Sequence, residues 1–527
     1  MKRVSIIMIL LVAAVMYSCN DYLDINENVN KPTSVAPELV FPQALTSTAD
    51  NLDNFNTYGM QIGGYAANAG GYGGFNETVS YAYTPNNYSN LWLEYDNLED
   101  YQYIIDQTKG DSTNLYLYAA AKIMKCYGFQ LLVDAYNNVP YSQALSGEKY
   151  LTPVYDDATK IYDSLALSLD EAIAAIKKGQ SFDIKPTSIT TTDIVFKGDM
   201  TKWIKLANTI KLRLFVRAGS KVTFTNPTIS TDGFLTEDAL INPGYTKDNN
   251  RQNPKWDAWA FGYTGSAGNK AWIPSTFIMT YYDTTKIADP FRGSAMYYQF
   301  AVKGGTGTNQ LGYEATGIPK SPDGSFWYPT DVTRKEFTDT TGVLKGPSAG
   351  YPMFLAAESY FLQSEAALKT MISGDAETLF NSGIKASISY LYQLPDGTIE
   401  KDTFPSSDGR MTFMDTTYHK INSTNYLVNF NLAGSFEEQL EAIITQKYLA
   451  LNMINSHEGW NEYRRTGYPK VSGSTAEGTF ASKVSLSTRA DKLPSRILYP
   501  TSEVQYNSSN VPSATTNSFT SLIYWAK

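Results

Sequence analysis

Along most of the chain, apolar residues return at the three- and four-residue intervals of an α-helix. Leu91, Trp92, Tyr95, Leu98, Tyr101 and Ile105 share one helical face, and Gly110 punctuates its end. The run 115–134, "LYLYAAAKIMKCYGFQLLVD", is a second helix whose Ala119-Ala120-Ala121 permits close packing. Together these predict a helical hairpin. The pattern recurs at 156–178, closed by Gly179, followed by 199–218, where Trp203, Leu206, Ala207, Ile210, Leu214 and Arg217 mark one face and Gly219 suits the residue after the last turn. Residues 353–370 pair with 376–392, and 435–453 with 457–466. Ser435 and Glu438 have the spacing of a capping box.

The predicted fold is therefore mainly α, with helix pairs near 91–135, 156–219, 353–392 and 435–466. Pairs with small residues at the crossing resemble tetratricopeptide units, in which each pair buries its face on the next and the stack forms an α/α right-handed superhelix. The spacing is irregular and the full repeat consensus is absent. Between 222 and 351 helical spacing fades. This stretch is rich in Gly, Pro, Asn, Thr and aromatics, and so is 63–83, "GGYAANAGGYGGFNETVSYAY". Long loop-rich segments on a helical scaffold are where function concentrates.

The N-terminus has a different pattern. Lys2-Arg3 precedes 11 unbroken apolar residues, Ile6 to Met16. A membrane-spanning helix needs about 20. A charged start, a short apolar run and the small Ser18 predict an export signal over 1–18. Cys19 follows directly, as in a bacterial lipobox, with Tyr17 bulkier than that pattern prefers. The expectation is cleavage before Cys19, lipidation of its sulfur, and an Asn/Asp-rich tether over 19–36 that leads into a domain over 37–527. Asp21 and Asp24 resemble the acidic patch of lipoproteins sent to the outer surface of Bacteroidetes cells.

Formal charge is −9 across 527 residues, with no basic run, which disfavours a polyanionic partner such as nucleic acid. The only other cysteine, Cys126, lies in an apolar helical stretch and reads as a small buried hydrophobe. With two histidines, His419 and His457, there is little material for an imidazole metal site, and no cofactor or metal is expected. Tyrosine is abundant: 39 Tyr against 24 Phe, with 8 Trp. A rigid apolar ring with a polar tip suits half-exposed contact surfaces.

Motifs for chemistry fail on inspection. Gly70-Gly71-Tyr72-Gly73-Gly74 lacks the third glycine of a dinucleotide loop, because Asn76 stands there, and no Lys-Ser/Thr pair follows. Gly346-Pro347-Ser348-Ala349-Gly350 matches G-x-S-x-G but is followed by Tyr351-Pro352 rather than a helix start. His457-Glu458-Gly459-Trp460-Asn461 has Asn where a zinc-binding helix needs its second His. Glu358 and Glu365 share a helix face, which admits a glycoside-hydrolase carboxylate pair as a competing reading. Helix-to-helix contacts are the simpler role, and no catalytic residue is assigned.

The loop aromatics point instead to binding. Flat rings bury the C–H faces of sugars while nearby amides and carboxylates meet hydroxyls. The candidate ligand-binding residues are Tyr72, Phe75, Asn76, Trp92, Trp256, Trp259, Trp272, Tyr281, Tyr282, Asp283 and Trp327, with Asn87 as a further hydrogen-bonding group. Trp203 and Trp460 sit in helical patterns and read as core.

Four stretches resemble the SusD/RagB family of Bacteroidetes outer-membrane nutrient-binding lipoproteins: "DAYNNVPYSQAL" (134–145), "GDMTKWIKLANTIKLRLFVRA" (198–218), "YPMFLAAESYFLQSEAAL" (351–368) and "QKYLALNMINSHEGWNEYRRTGYP" (446–469). The resemblance implies a SusD-like fold of four tetratricopeptide-like helix pairs with a loop-built binding face. It implies a partner, a SusC-like TonB-dependent β-barrel transporter over which the lipoprotein sits as a lid. It implies an oligosaccharide ligand, or a peptide in RagB-like members, and no catalysis. The tether, with Asn30-Lys31-Pro32, departs from the starch-binding branch, so no starch-contact residue is carried over by position.

Overall fold

A computed structural model describes residues 35–302, 304–314, 325–328, 340–512 and 515–527. The export signal, Cys19 and nearly all of the tether lie outside the described residues. Among the described residues ten long helices dominate: α1 (Pro37–Ile62), α2 (Glu94–Thr108), α3 (Leu115–Tyr136), α4 (Ala158–Ser181), α5 (Met200–Ala218), α6 (Ala356–Leu368), α7 (Ala376–Tyr392), α8 (Ser407–Ile421), α9 (Phe436–Ala450) and α10 (Ser456–Thr466). The pairs α2–α3, α4–α5, α6–α7 and α9–α10 fall where the periodicity placed them. Helices α1 and α8 were not anticipated. None of the helices among the described residues is long and apolar enough to cross a membrane.

Local chemistry explains the helix starts. Asp157 and Asp199 accept the first free amides of α4 and α5, from Thr159 and Thr201, at 2.9 Å each. At α9, Ser435 Oγ accepts Glu438 N at 3.2 Å, as a capping box requires, but Glu438 Oε2 returns to Gly434 N at 2.7 Å rather than to Ser435.

Each helix packs on the next, from α1 through to α8. Helix α9 returns to pack on α6 and α7, and α10 lies against both α9 and α1, which ties the two ends of the stack together. Three small antiparallel sheets hold loops to this scaffold: β1 (Ala66–Asn68) pairs β5, β2 (Val139–Pro140) pairs β3 (Tyr155–Asp156), and β4 (Ala239–Ile241) pairs β6 (Tyr351–Phe354), with β5 spanning Trp272–Pro274. At the α1–α10 crossing Gly59 is obligatory, because a Cβ there would lie 2.0 Å from the His457 backbone nitrogen. Gly128 on α3 leaves room for the Glu94 carboxylate of α2, whose Oε1 would lie 2.2 Å from an added Cβ.

Where the helices converge, the core is ionic. Arg217 of α5 pairs with Asp134 of α3 and with Glu458 and Glu462 of α10. Arg213, one turn earlier, meets Glu358 of α6 at 3.2 Å and Glu458 at 3.4 Å, and donates twice to Gln130 Oε1. Lys447 of α9 reaches Glu462 at 2.9 Å, and Arg465 forks onto Glu365 with two bonds of 2.7 Å. All of these side chains are buried. Burial alone would raise the Glu458 carboxyl, but Arg213 and Arg217 outweigh it and hold it well below the usual range. Burial pushes His457 down to about 3, so its ring is neutral.

Removing one member of such a set leaves buried charge uncompensated, at a cost of about 3–5 kcal/mol. Arg217→Met is expected to lose about that much in urea unfolding, with Arg217→Lys intermediate. Equal midpoints for Arg217→Met and the parent chain would refute the role assigned to this side chain.

Glu94 yields a pH prediction. It is buried, with only Asn51 and Asn97 amides for company, and burial raises its carboxyl to about 8. The folded chain then holds a proton that the unfolded chain releases near 4.5, so stability falls as pH rises from about 4.5 through 8. Glu94→Gln should gain stability over the parent across that window and level off above it. A pH-independent difference in unfolding midpoint would contradict this.

Candidate ligand-binding face

Helix α1 ends at Ile62, and Gly63-Gly64 turn the chain into β1. Strand β1 pairs antiparallel with β5, Asn68 opposite Trp272, and Ala69 N extends the ladder to Ala271 O at 2.8 Å. This short ribbon carries three loops. The first, 70–75, is glycine-rich: Gly71 and Gly74 have φ of 85° and 89°, and nothing lies within 4 Å of a Cβ built on either. It holds Tyr72 exposed at 41% and places Phe75 edge-on to Trp272, ring centres 5.2 Å apart. Asn76 is exposed at the start of a five-residue helix.

The second loop, 309–314, is fastened by the buried Asn68. Its side-chain oxygen accepts Gly312 N at 2.7 Å, its amide donates to Glu314 Oε1 at 3.0 Å, and its backbone oxygen accepts from Asn309 Nδ2 at 2.9 Å. Asn309 also donates to Tyr313 O at 2.6 Å. Tyr313 is thereby presented to solvent, 51% exposed, beside the exposed carboxylate of Glu314. The third loop precedes β5. Asn269 Oδ1 accepts the amides of Ala271 and Trp272, and the turn before it exposes Tyr263. The loops of this two-stranded ribbon thus carry exposed phenols, amides and a carboxylate, on backbone fixed by buried hydrogen bonds.

Of the residues expected from sequence, Tyr72, Phe75, Asn76 and Trp272 come together here, with Trp272 nearly buried beneath Phe75. Others do not. Trp256, Trp259 and Trp327 are at most 1% exposed and pack edge-on, Trp259 on Trp327 and Trp256 on Tyr328, so they offer no ring face to a ligand. Their large apolar surface is better satisfied in packing parts of the loop-rich segment together than in facing water. Tyr281 and Tyr282 are buried too; Tyr282 accepts Asn452 Nδ2 at 3.2 Å, and burial pushes both phenols up. Asp283 is exposed, but its Oδ1 caps its own turn through Thr285 N at 3.0 Å. Trp92 is half-buried in a separate cluster with Tyr95, Tyr136, Tyr155 and Tyr499. Asn87 accepts Thr84 N and Oγ1, closing a local turn.

Sequence reasoning missed Asn68, Tyr263, Asn309, Tyr313 and Glu314. Their importance depends on a contact between residues more than 240 positions apart. The turn glycines around Tyr313 were the available signal, and they do not name a partner.

The groups considered for catalysis are committed elsewhere. Glu358 and Glu365 are sealed in the ionic core. Ser348 stands exposed on a loop, with no helix following it. Among the described residues, no group of three or more His, Cys, Asp or Glu could hold a metal ion.

Solved structures of similar fold exist. A SusD homologue from Bacteroides fragilis superposes with a TM-score of 0.65 at 20% identity, over 94% of this chain and all of its own. A Bacteroidetes SusD-like protein gives 0.66 at 20% identity over the same shares. A chitin-binding protein gives 0.64 at 22% identity, over 93% of this chain and all of its own. No curated protein matches the chain. The family model for SusD-like proteins, described as starch-binding and associating with the outer membrane, matches residues 29–500. On that match over most of its length, the chain belongs to the SusD-like family of outer-membrane-associated, glycan-binding proteins.

Proposed function

We propose that this protein captures oligosaccharides at the cell surface on the face built by the β1–β5 ribbon. It hands them, without cleaving them, to a SusC-like TonB-dependent barrel. The carrying observation is the exposure of Tyr72 and Tyr313 on loops that Asn68 and β5 hold in place. Rings held before the ligand arrives lose little entropy on stacking, while Asn76 and Glu314 stand ready for hydroxyls. The family's description as starch-binding and the chitin-binding neighbour agree with a sugar ligand. Anchoring through a lipid on Cys19 would leave this rigid body free to swing over the barrel mouth.

A glycan array followed by calorimetry tests the binding. Tyr72→Ala and Tyr313→Ala should each weaken the best-bound oligosaccharide about tenfold, equivalent to about 1.4 kcal/mol. Trp259→Ala should instead cost about 3–5 kcal/mol of stability, with affinity of the folded protein unchanged. Peptide bound in place of any glycan, or turnover of a labelled oligosaccharide, would overturn the reading.

Anchoring is tested by mass. Protein extracted from membranes should begin at Cys19 and carry added diacylglycerol mass, and Cys19→Ser should move to the soluble fraction. An unmodified Cys19 in the membrane-extracted chain would rule the anchor out.

A further inference from the structure

Beside the aromatic face, Gln310 and the segment 471–492 enclose a recess of about 300 Å³, at the lower end of the size range for small-molecule pockets. One of its lining residues carries an unfinished hydrogen bond. Gln310 is only 6% exposed, and its Nε2 donates to Ala481 O at 2.9 Å, which fixes the amide's orientation. Its Oε1 is buried and accepts from nothing. A buried acceptor left unfilled is costly, so it wants a donor such as a hydroxyl.

The lining is also cationic, in a chain whose overall charge is −9. Among the described residues Lys483 Nζ donates only to Ser474 O, at 3.5 Å, and Lys492 Nζ only to Ser487 O, at 3.4 Å. An ammonium has three donors to place, so each has capacity left. The one acid on the lining, Asp491, is already engaged: Arg489 donates to both its oxygens at 3.2 Å, and the Tyr463 hydroxyl donates to Oδ2 at 3.3 Å.

We propose that this recess is a second carbohydrate pocket, which takes one sugar residue bearing an anionic group. A sugar hydroxyl donates to Gln310 Oε1, and the Lys483 and Lys492 ammoniums meet the anion. The pocket deepens the glycan-binding reading above and rests on it. The two sites share a wall, because Lys483 N donates to Leu311 O at 2.8 Å and Leu311 belongs to the loop that presents Tyr313. An acidic oligosaccharide can thus lie on the aromatic face with one charged unit in the recess.

The test is calorimetry on the full mature chain with D-galacturonate, D-galactose 6-sulfate and D-galactose. At least one anionic sugar should bind about tenfold more tightly than galactose, and which one does so separates carboxylate from sulfate ester. Lys483→Gln with Lys492→Gln should erase that gap. Gln310→Met, checked for folding by thermal unfolding, should weaken the anionic sugar by about tenfold. The proposal is overturned if all three sugars bind equally or not at all, or if the preference survives the double lysine variant. Neutral oligosaccharide binding, sensitive to Tyr72→Ala, is read separately. Its loss with the anion preference intact would sink only the aromatic-face reading; its retention without any anion preference would sink only the pocket.

Discussion

The guanidinium of Arg217 joins three helices that are remote in sequence: its own α5, α3 through Asp134, and α10 through Glu458 and Glu462. With Arg213, Lys447 and Arg465 it forms a buried ladder that also takes in α6 and α9. Such a ladder adds little net stability over an apolar core of the same shape, since desolvation consumes most of the Coulomb attraction. What it fixes is registration. Apolar helix faces tolerate sliding past one another. A slide of one turn here would strand a carboxylate or guanidinium in a medium that cannot solvate it. The stack of helices is therefore locked at its centre by charge and sealed around that centre by alanine, leucine and aromatic side chains.

That lock shapes what the loops can do. Only three residues separate the end of α1 from strand β1, and α1 packs on α10, which carries Glu458 and Glu462. The ribbon that presents Tyr72 and Trp272 thus grows directly from the locked core. The buried tryptophans continue the attachment outward. Trp259 on Trp327, and Trp256 on Tyr328, clasp parts of the loop-rich segment to one another. Loops with few regular hydrogen bonds are held by rings at their base and by Asn68 at their rim, so the exposed phenols stand on a fixed mount.

Much of the scaffold was legible in the sequence because its evidence is local. Helical spacing, Ser435 and Glu438 at a helix start, and the small residues of Ala119–Ala121 all act within a few positions. Helix α1 was missed because its apolar residues are mixed with Thr, Asn and Gln on nearly every turn, and several of those polar groups are buried, among them Thr48 and Asn56. The site was legible only in part. Tyr72, Phe75, Asn76 and Trp272 were found through their glycine- and turn-rich surroundings. The same reasoning selected Trp256, Trp259 and Trp327, since a loop tryptophan looks alike in sequence whether it faces water or plugs a gap. Buried indoles hold the loops, while Tyr72, Tyr263 and Tyr313 face outward.

That division follows from the chemistry of the rings. An indole has one donor and a large apolar area, so burying it gains more than exposing it unless a ligand is always present. A phenol keeps its hydroxyl in water while its ring leans on neighbours, and it can wait unliganded at little cost. Tyrosine therefore suits an edge that faces water. Here Tyr72, Tyr263 and Tyr313 hold that edge, and Trp272 lies one layer beneath, covered by Phe75. Most of the chain's tyrosines are buried in the core, Tyr65, Tyr281 and Tyr448 among them, so the abundance of tyrosine in the composition serves packing first; at this edge the glycines beside Tyr72 leave its ring open to solvent.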